Sequence, residues 1–365
     1  MTKVKEVMSV LEQFAPMVFQ EAYDNSGLQV GNQDDEVYGV LVCIDVTDAV
    51  VDEALSRKAN LIIAHHPVIF GGIKRITDHT LAGRVLKRCI KHDINLYVAH
   101  TNIDSVKGGV SFKLAEKLGL TNIHVLQPKT GLLNKLVTFV PGEYSGNVRE
   151  AMFRAGAGTI GDYDSCSYNL EGKGTFRAPE SANPFVGEKG KLHTEPETRI
   201  ETIFPAYLKG TVLKALFQAH PYEEVAYDIY PLNNEWAQVG MGAIGELPER
   251  MNARDFLNLL KKRVRAGIIR HTALVRHKVQ KVAVCGGSGS FLLSGAMAAG
   301  ADVFVSGDFK YHQFFEAENR IIIADVGHYE SEQFTKDIFY DLLIKNFTTF
   351  AIHLSEINTN PIKYL

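Results

Sequence analysis

The chain is predicted to be an α/β protein: two similar α/β lobes forming one discontinuous domain, with a ferredoxin-like α+β domain inserted between them. Three observations carry this. In the first and last thirds, short apolar runs alternate with helical patterns, the order of a largely parallel sheet covered by helices. The middle third has a different cadence, two β-α-β units in series, which is the split β-α-β order. Sliding the chain by 242 residues places Cys43 on Cys285, Ala59 on Ala301, Leu61 on Val303, Ile63 on Val305 and His66 on Asp308. The alternative for this weak repeat is that any two buried β-α-β units share an apolar pattern.

The elements follow in order. Met1 to Phe14 reads as an amphipathic helix. Val37 to Asp45 is an apolar strand, and Ala49 to Lys58 a helix with Val50, Ala54 and Leu55 inward. Leu61 to Ala64 is a buried strand, Leu81 to His92 a helix and Leu96 to Ala99 a strand. In the middle, Leu133–Val140, Asp164–Arg177, Glu195–Phe204 and Glu224–Pro231 read as strands, with helices over Asn147–Ala155 and Lys209–His220. In the last third, strands are expected over Val282–Cys285, Val303–Ser306 and Ile321–Ala324, with helices over Phe291–Ala299 and about Tyr329–Lys345. The predicted boundaries are 1–127, 128–247 and 248–365. The ends of a split β-α-β unit lie close together, so it can be inserted without separating its hosts.

Composition narrows the function. The chain has 365 residues, with 39 Lys plus Arg against 42 Asp plus Glu, a net charge of −3. That balance advertises no nucleic-acid surface. The dense basic run Lys261-Lys262-Arg263 reads as a solvated helix face. The four cysteines have no CxxC spacing and read as reduced, mostly buried thiols. No apolar segment of signal-peptide type follows the N-terminal helix. Val282 to Ala301 lacks charges but holds five glycines and three serines, so it reads as strand, glycine loop and buried helix and not as a membrane span. A cytoplasmic protein with no membrane partner is expected.

The chemistry concentrates where strands end. One runs into His65-His66-Pro67, another into His100-Thr101-Asn102-Ile103-Asp104, and a third into Asp325-Val326-Gly327-His328 with Glu332 beyond. Ligands of open α/β sheets bind past the carboxyl ends of strands. His328 and Glu332 stand at i and i+4, on one helix face shared with Phe339, Leu342 and Leu343. Ionisable groups on an inward face need a partner, and a cation supplies one. His65, His66, Asp104, His328 and Glu332 are therefore candidate metal ligands. Adjacent His65 and His66 point to opposite faces, so each is expected to serve one of two neighbouring ions, with Asp104 or Glu332 bridging. The mixed N/O donors suit zinc, manganese, iron or nickel without choosing among them; two divalent ions are expected, with zinc first and iron, manganese or nickel as alternatives. His100 is a candidate proton shuttle or orienting group, and His312 an orienting or substrate group, with packing equally able to explain both. His79, His92, His124, His193, His271, His277 and His353 read as structural, and His220 is explained by a helix C-terminus. The loop Gly286-Gly287-Ser288-Gly289-Ser290 offers amides to a phosphate through Gly286, Gly287 and Gly289; a close-packed glycine turn is the alternative.

Several of these motifs occur together in one order. Ala22-Tyr23-Asp24-Asn25-Ser26-Gly27-Leu28-Gln29-Val30-Gly31, His65-His66-Pro67, His100-Thr101-Asn102-Ile103-Asp104, Gly307-Asp308 and Gly327-His328-Tyr329-Glu330-Ser331-Glu332 resemble the NIF-three-like family. Its bacterial members are named GTP cyclohydrolase 1 type 2 homologues. Tyr23 stands where that family often has Trp. The middle section, with His220-Pro221-Tyr222-Glu223-Glu224, resembles the PII/CutA-like insert of the longer members. The resemblance implies a dinuclear metal centre on the same five residues, and a toroidal homohexamer whose metal sites face an internal cavity. The expected function is metal-dependent hydrolysis of a nucleotide or other small phosphorylated substrate. The alternative is a non-enzymatic regulatory or metal-delivery hexamer that senses a ligand through the insert.

Overall fold

The computed structural model describes residues 2–365. The first part of the chain forms α1 (Val4–Phe14), β1 (Gly27–Val30), β2 (Gly39–Cys43), α2 (Asp48–Ser56), β3 (Leu61–Ala64), α3 (Leu81–Lys91), β4 (Asn95–Val98), α4 (Thr101–Asp104), α5 (Val110–Leu118) and β5 (Thr121–Lys129). The middle forms β6 (Leu133–Pro141), α6 (Ser145–Arg154), β7 (Tyr168–Arg177), β8 (Leu192–Pro205), α7 (Lys209–Ala219) and β9 (Tyr227–Leu232). The remainder forms β10 (Trp236–Asn252), α8 (Ala253–Arg263), β11 (Arg270–His271), β12 (Lys278–Ser288), α9 (Leu293–Ala298), β13 (Val303–Gly307), β14 (Ile322–Asp325), α10 (His328–Glu332), α11 (Thr335–Asn346) and β15 (Ala351–Leu354).

Local chemistry sets these boundaries. The Thr47 hydroxyl accepts from the Val50 amide and starts α2; Thr80 does the same for Gly83 at the start of α3. Every residue of β2, β3 and β4 is buried, which is why they read as unbroken apolar runs.

Two sheets make the larger unit. The first has the order β1-β4-β3-β2-β15, the second β11-β14-β13-β12-β10-β5. Each holds a parallel trio, β2-β3-β4 and β12-β13-β14, flanked by an antiparallel strand, β1 or β11. The repeat is carried by register. Val40 pairs with Leu61 in one sheet and Val282 with Val303 in the other, both members displaced by the same 242 residues. Strands also cross over: β5, from the first part of the chain, closes the second sheet, and β15, from the last part, pairs in parallel with β2 of the first. The lobes are therefore not simply 1–127 and 248–365.

The chain divides into one unit of Met1–Pro128 with Gln238–Leu365, and a second of Lys129–Ala237. The first boundary falls one residue from the expected place. The second falls ten residues before 247/248, because Ala243–Glu246 of β10 pairs with Lys281–Val284 of β12 and so belongs to the larger unit. The single helix expected over Tyr329–Lys345 is broken between α10 and α11, so His328 and Glu332 do not share a continuous stripe with Phe339 and Leu343. The uncharged stretch Val282–Ala301 divides among β12, a turn and α9, and among the described residues no helix is long and apolar enough to cross a membrane.

The inserted unit has the strand order β7-β8-β6-β9, all neighbours antiparallel, which is the split β-α-β arrangement. One face of the sheet packs Leu136, Val140, Ile200 and Phe204 against Val148 and Met152 of α6 and Val212 and Leu216 of α7. His220 is only 6% exposed. Its Nε2–H donates to the Phe139 carbonyl at 2.9 Å and its Nδ1 accepts from the Tyr222 amide at 3.1 Å. Both nitrogens are spent on structure, so burial and local hydrogen bonding account for this residue better than the helix terminus does.

Because the insert has a core of its own, Phe204→Ala is expected to destabilise it by about 3–5 kcal/mol. Differential scanning calorimetry should show one transition moving down while a second stays in place. A single transition shifted as a whole would contradict independent cores.

Candidate metal centre

Three strands deliver the candidate ligands to one place. β3 runs into His65 and His66, β4 into His100 and α4 with Asp104, and β14 into α10 with His328 and Glu332. All lie beyond the carboxyl ends of parallel strands. Glu332, 3% exposed, is the common point. Its Oε2 lies 2.9 Å from His66 Nε2, 3.0 Å from His328 Nε2 and 3.8 Å from His65 Nε2. His65 Nε2 is 3.9 Å from Asp104 Oδ1. Two three-donor groups result, His66-His328-Glu332 and His65-Asp104-Glu332, and a third is formed by His65, His66 and His100. The five residues singled out from spacing thus converge.

The donor set fits a divalent ion. His66 Nε2 and His328 Nε2 are 3.4 Å apart. Two nitrogens bound at ~2.0–2.1 Å to one tetrahedral ion stand about 3.3–3.4 Å apart. Among the described residues, the buried side-chain polar atoms left without a hydrogen-bond partner are His65 Nε2 and Asp104 Oδ1. An unpaired buried donor or acceptor is costly, and these two face the same shared carboxylate. The ionisation pattern agrees. Burial, then repulsion from Glu332, pushes the Asp104 carboxyl up to about 7. Burial opposes charge on His66 and His328, but Asp45 and Glu332 hold His66 up at about 9, and Asp308 and Glu332 hold His328 up at about 11. Burial likewise opposes charge on Glu332, yet His328 and His66 beside it hold it well below the usual carboxylate range.

Each imidazole is aimed through its other nitrogen. His65 Nδ1 donates to the Ala99 carbonyl at 3.0 Å, so its Nε2 presents a lone pair. His66 Nδ1 donates to Asp45 at 2.7 Å, and Asp45 in turn accepts from the Thr359 hydroxyl at 2.5 Å. His328 Nδ1 donates to Asp308 at 2.6 Å, and His100 Nδ1 to Asp24 at 2.7 Å. Asp24 also accepts from the Thr101 amide and hydroxyl. Asp24, Asp45 and Thr359 were not reached from the sequence as orienting groups. Asp45 was legible as the residue closing a strand at the same end as His65, but Thr359 carries no local signal. Asp308, the repeat partner of His66, supports a ligand where His66 is one.

The glycine loop does not cradle a phosphate. Its amides already donate to side-chain hydroxyls: Gly286 to Ser111, Gly287 to Ser331 and Gly289 to Ser306. They are spent on packing and not aimed at a phosphate. Gly287 adopts φ +64°, and a Cβ there would overlap Glu332 Oε1. Each glycine is required by a close neighbour: Glu332 at Gly287, Val110 at Gly286, and Cys285 with Ser306 at Gly289. Cys285 beside it is buried, and burial with Asp104 and Glu332 nearby pushes its thiol up, which makes it a poor nucleophile. His312 packs against Tyr311 and Phe315, with no hydrogen bond to the cluster.

Two outcomes follow from this geometry. His66 and His328 hold protons on the nitrogens that face Glu332, so binding a divalent ion must release them, and affinity must rise with pH. Calorimetric titration with zinc in buffers of different ionisation enthalpy should give a buffer-dependent heat; a buffer-independent heat would contradict it. Asp308→Asn leaves the ligands but weakens the aim of His328, and is expected to lower metal affinity about 10–100-fold, read by competition with a chromophoric chelator.

The profile of the Duf34/NIF3 family (NGG1p interacting factor 3) matches residues 2–361. A GTP cyclohydrolase 1 type 2 homolog of Bacillus subtilis (strain 168) is 39% identical over 366 residues, covering 99% of this chain and 98% of that protein. The protein of the same name from Halalkalibacterium halodurans is 40% identical over 364 residues, covering 98% of each. The crystal structure of a Bacillus cereus protein related to NIF3 superposes with a TM-score of 0.87 at 40% identity, covering 100% of this chain and 99% of that one. A Staphylococcus aureus crystal structure gives 0.79 at 29% identity, with coverage of 100% and 99%. With the profile spanning nearly the whole sequence, the chain belongs to the Duf34/NIF3 family.

Proposed function

We propose that the chain is a metal-dependent hydrolase with a dinuclear centre, acting on a nucleotide or other small phosphorylated compound. The observation that carries this is the pair of three-donor groups sharing Glu332. In this reading His66, His328 and Glu332 would hold one ion and His65, Asp104 and Glu332 the other, with zinc the first metal to try and iron, manganese or nickel the alternatives. The chemistry such ions supply when bound is Lewis acidity and hydroxide at neutral pH.

The chain's own residues supply the rest. His100 is held by Asp24 through Nδ1, which fixes the proton there and leaves Nε2 to take one from a reacting group. The cavity over the cluster is about 540 Å³ and is lined by Tyr23, Phe70 and Phe291 as well as His66, Asp104, His328 and Glu332. Tyr23 and Phe70 stand 6.3 Å apart, ring to ring, and Phe70 lies 6.2 Å from His100, so a planar heterocycle finds aromatic faces beside a proton acceptor. No Lys or Arg lines this cavity, and an anionic substrate would depend on the bound cations for its counter-charge. The relatives' shared name makes GTP the first substrate to test. We extend the same reading to a PII/CutA-like character for the insert and to a hexameric assembly, which light scattering of the purified protein would test.

Purified, metal-loaded protein is expected to release formate from GTP, and Glu332→Gln, which removes the shared charge, to lower that rate by at least about 10²-fold. Absence of turnover, or turnover unchanged in Glu332→Gln, rejects the cyclohydrolase version. The second reading, a metal-binding regulatory or metal-delivery protein, is favoured by the inserted unit, which spends Lys129–Ala237 without contributing a residue to any of the donor groups. Rapid metal exchange with no turnover on a nucleotide and phosphoester panel would favour it.

A further inference from the structure

The inserted unit contains a cavity of about 740 Å³, larger than the one over the metal-binding residues. It lies on the face of the sheet that α6 and α7 do not cover. Side chains alternate along a strand, so Glu197 and Arg199 of β8 point away from Ile200 and Phe204 of the helix-packed core. Register places Gly172 of β7 opposite Glu197 and Leu170 opposite Arg199, which completes the floor. Ala182, Pro184 and Phe185 form a wall with Tyr222, Glu223 and Glu224, the two segments being joined by the Asn183 amide, which donates to Glu223 at 2.8 Å.

Two features of this cavity point to the same ligand chemistry. The first is aromatic. Tyr222 stands 6.2 Å, ring to ring, from both Phe176 and Phe185, and Phe185 is backed by Tyr144 at 5.5 Å. The second is a buried carboxylate. Glu197 is 9% exposed; one oxygen accepts from the Tyr222 hydroxyl at 3.0 Å, and among the described residues no Lys, Arg or His is paired with it. The other oxygen lies over Gly174, where any Cβ would overlap it, so the strand gives up a side chain to seat this charge. Glu171 and Lys173 of β7 alternate onto the other face, where Glu171 accepts from the Thr198 hydroxyl; the cavity is left with the carboxylates of Glu197, Glu223 and Glu224 against Arg199, which is already paired with Glu201 at 2.8 Å. A buried carboxylate without a counter-ion is expensive, and a cation among ring faces gains from their quadrupoles.

We propose that the inserted unit binds a small organic cation, an ammonium or amidinium group on an apolar body, with the charge on Glu197 and the body against Phe176, Phe185 and Tyr222. A bare metal ion is a poorer match, because no group of three metal donors is found in this unit among the described residues. An anion meets the wrong sign. The site shares no residue with the metal centre, so it stands or falls apart from the hydrolase reading.

The test uses the full-length, metal-loaded protein and three probes of similar shape: 2-phenylethylammonium, neutral 2-phenylethanol and anionic 3-phenylpropionate. Titration followed by ligand-observed NMR is expected to show saturable binding of the ammonium, tighter than the alcohol by about tenfold or more, with no binding of the carboxylate. Glu197→Gln keeps an acceptor for Tyr222 and is expected to abolish the preference of ammonium over alcohol. Phe176→Leu keeps the carboxylate and is expected to weaken both. Circular dichroism and metal content should match the parent for each variant, and either variant alone suffices if the other fails to fold. No saturation, equal affinity for ammonium and alcohol, preference for the carboxylate probe, or an unchanged preference in folded Glu197→Gln would each overturn the proposal.

Discussion

The carboxylate of Glu332 is the constraint on which the larger unit depends. It is buried, it is charged, and its Oε2 is within 4 Å of three imidazoles. Removing a carboxylate from water costs several kcal/mol unless opposite charge and hydrogen bonds replace the hydration. Here the replacement comes from both sheets: His66 from the end of β3, and His328 from the helix that follows β14 and also carries Glu332. The surroundings are built to tolerate that carboxylate. Gly287 omits a side chain to make room for it, the hydroxyls of Ser111, Ser331 and Ser306 tie down the loop that passes it, and Asp45 and Asp308 hold the imidazoles in place behind.

How far the sequence revealed this depended on whether the signal was local. The five candidate ligands were legible because each sits just past an apolar strand and carries a group that water or a metal must satisfy. The parallel trios were legible because strands buried on both faces are uninterrupted runs, and the 242-residue repeat was legible because it preserves strand register. The exchange of β5 and β15 between sheets was not, since nothing in a short strand states which edge it will join. The same holds for Thr359, which reaches Asp45 across 314 positions in sequence.

Two errors share a physical origin. The glycine loop was open to a ligand-binding reading because amides in a tight turn are free donors in isolation; here serines from three other elements occupy them. His328 and Glu332 were expected on one long helix face because i and i+4 spacing predicts proximity. The proximity is correct, but five residues of α10 suffice for it, and the helix then breaks. In both cases the local chemistry was read correctly and its partner lay elsewhere in the chain. The inserted unit is the contrasting case: its order of elements is nearly self-contained, so its topology followed from order alone, while the seat of Glu197 over Gly174 needed cross-strand register to be seen.

The strand crossover has a consequence for how the molecule is made. During synthesis the ribosome delivers His65, His66 and Asp104 early, but Glu332 only after more than two hundred further residues, a delay of roughly 10–45 s at ordinary elongation rates. The first sheet is itself unfinished until β15 emerges to pair with β2. The nascent chain therefore presents an unfinished sheet edge and a cluster of histidines without their shared carboxylate while the self-contained insert can already fold. Completion of the first sheet by β15 and arrival of Glu332 are nearly simultaneous, so the sheet and the candidate metal site are finished together.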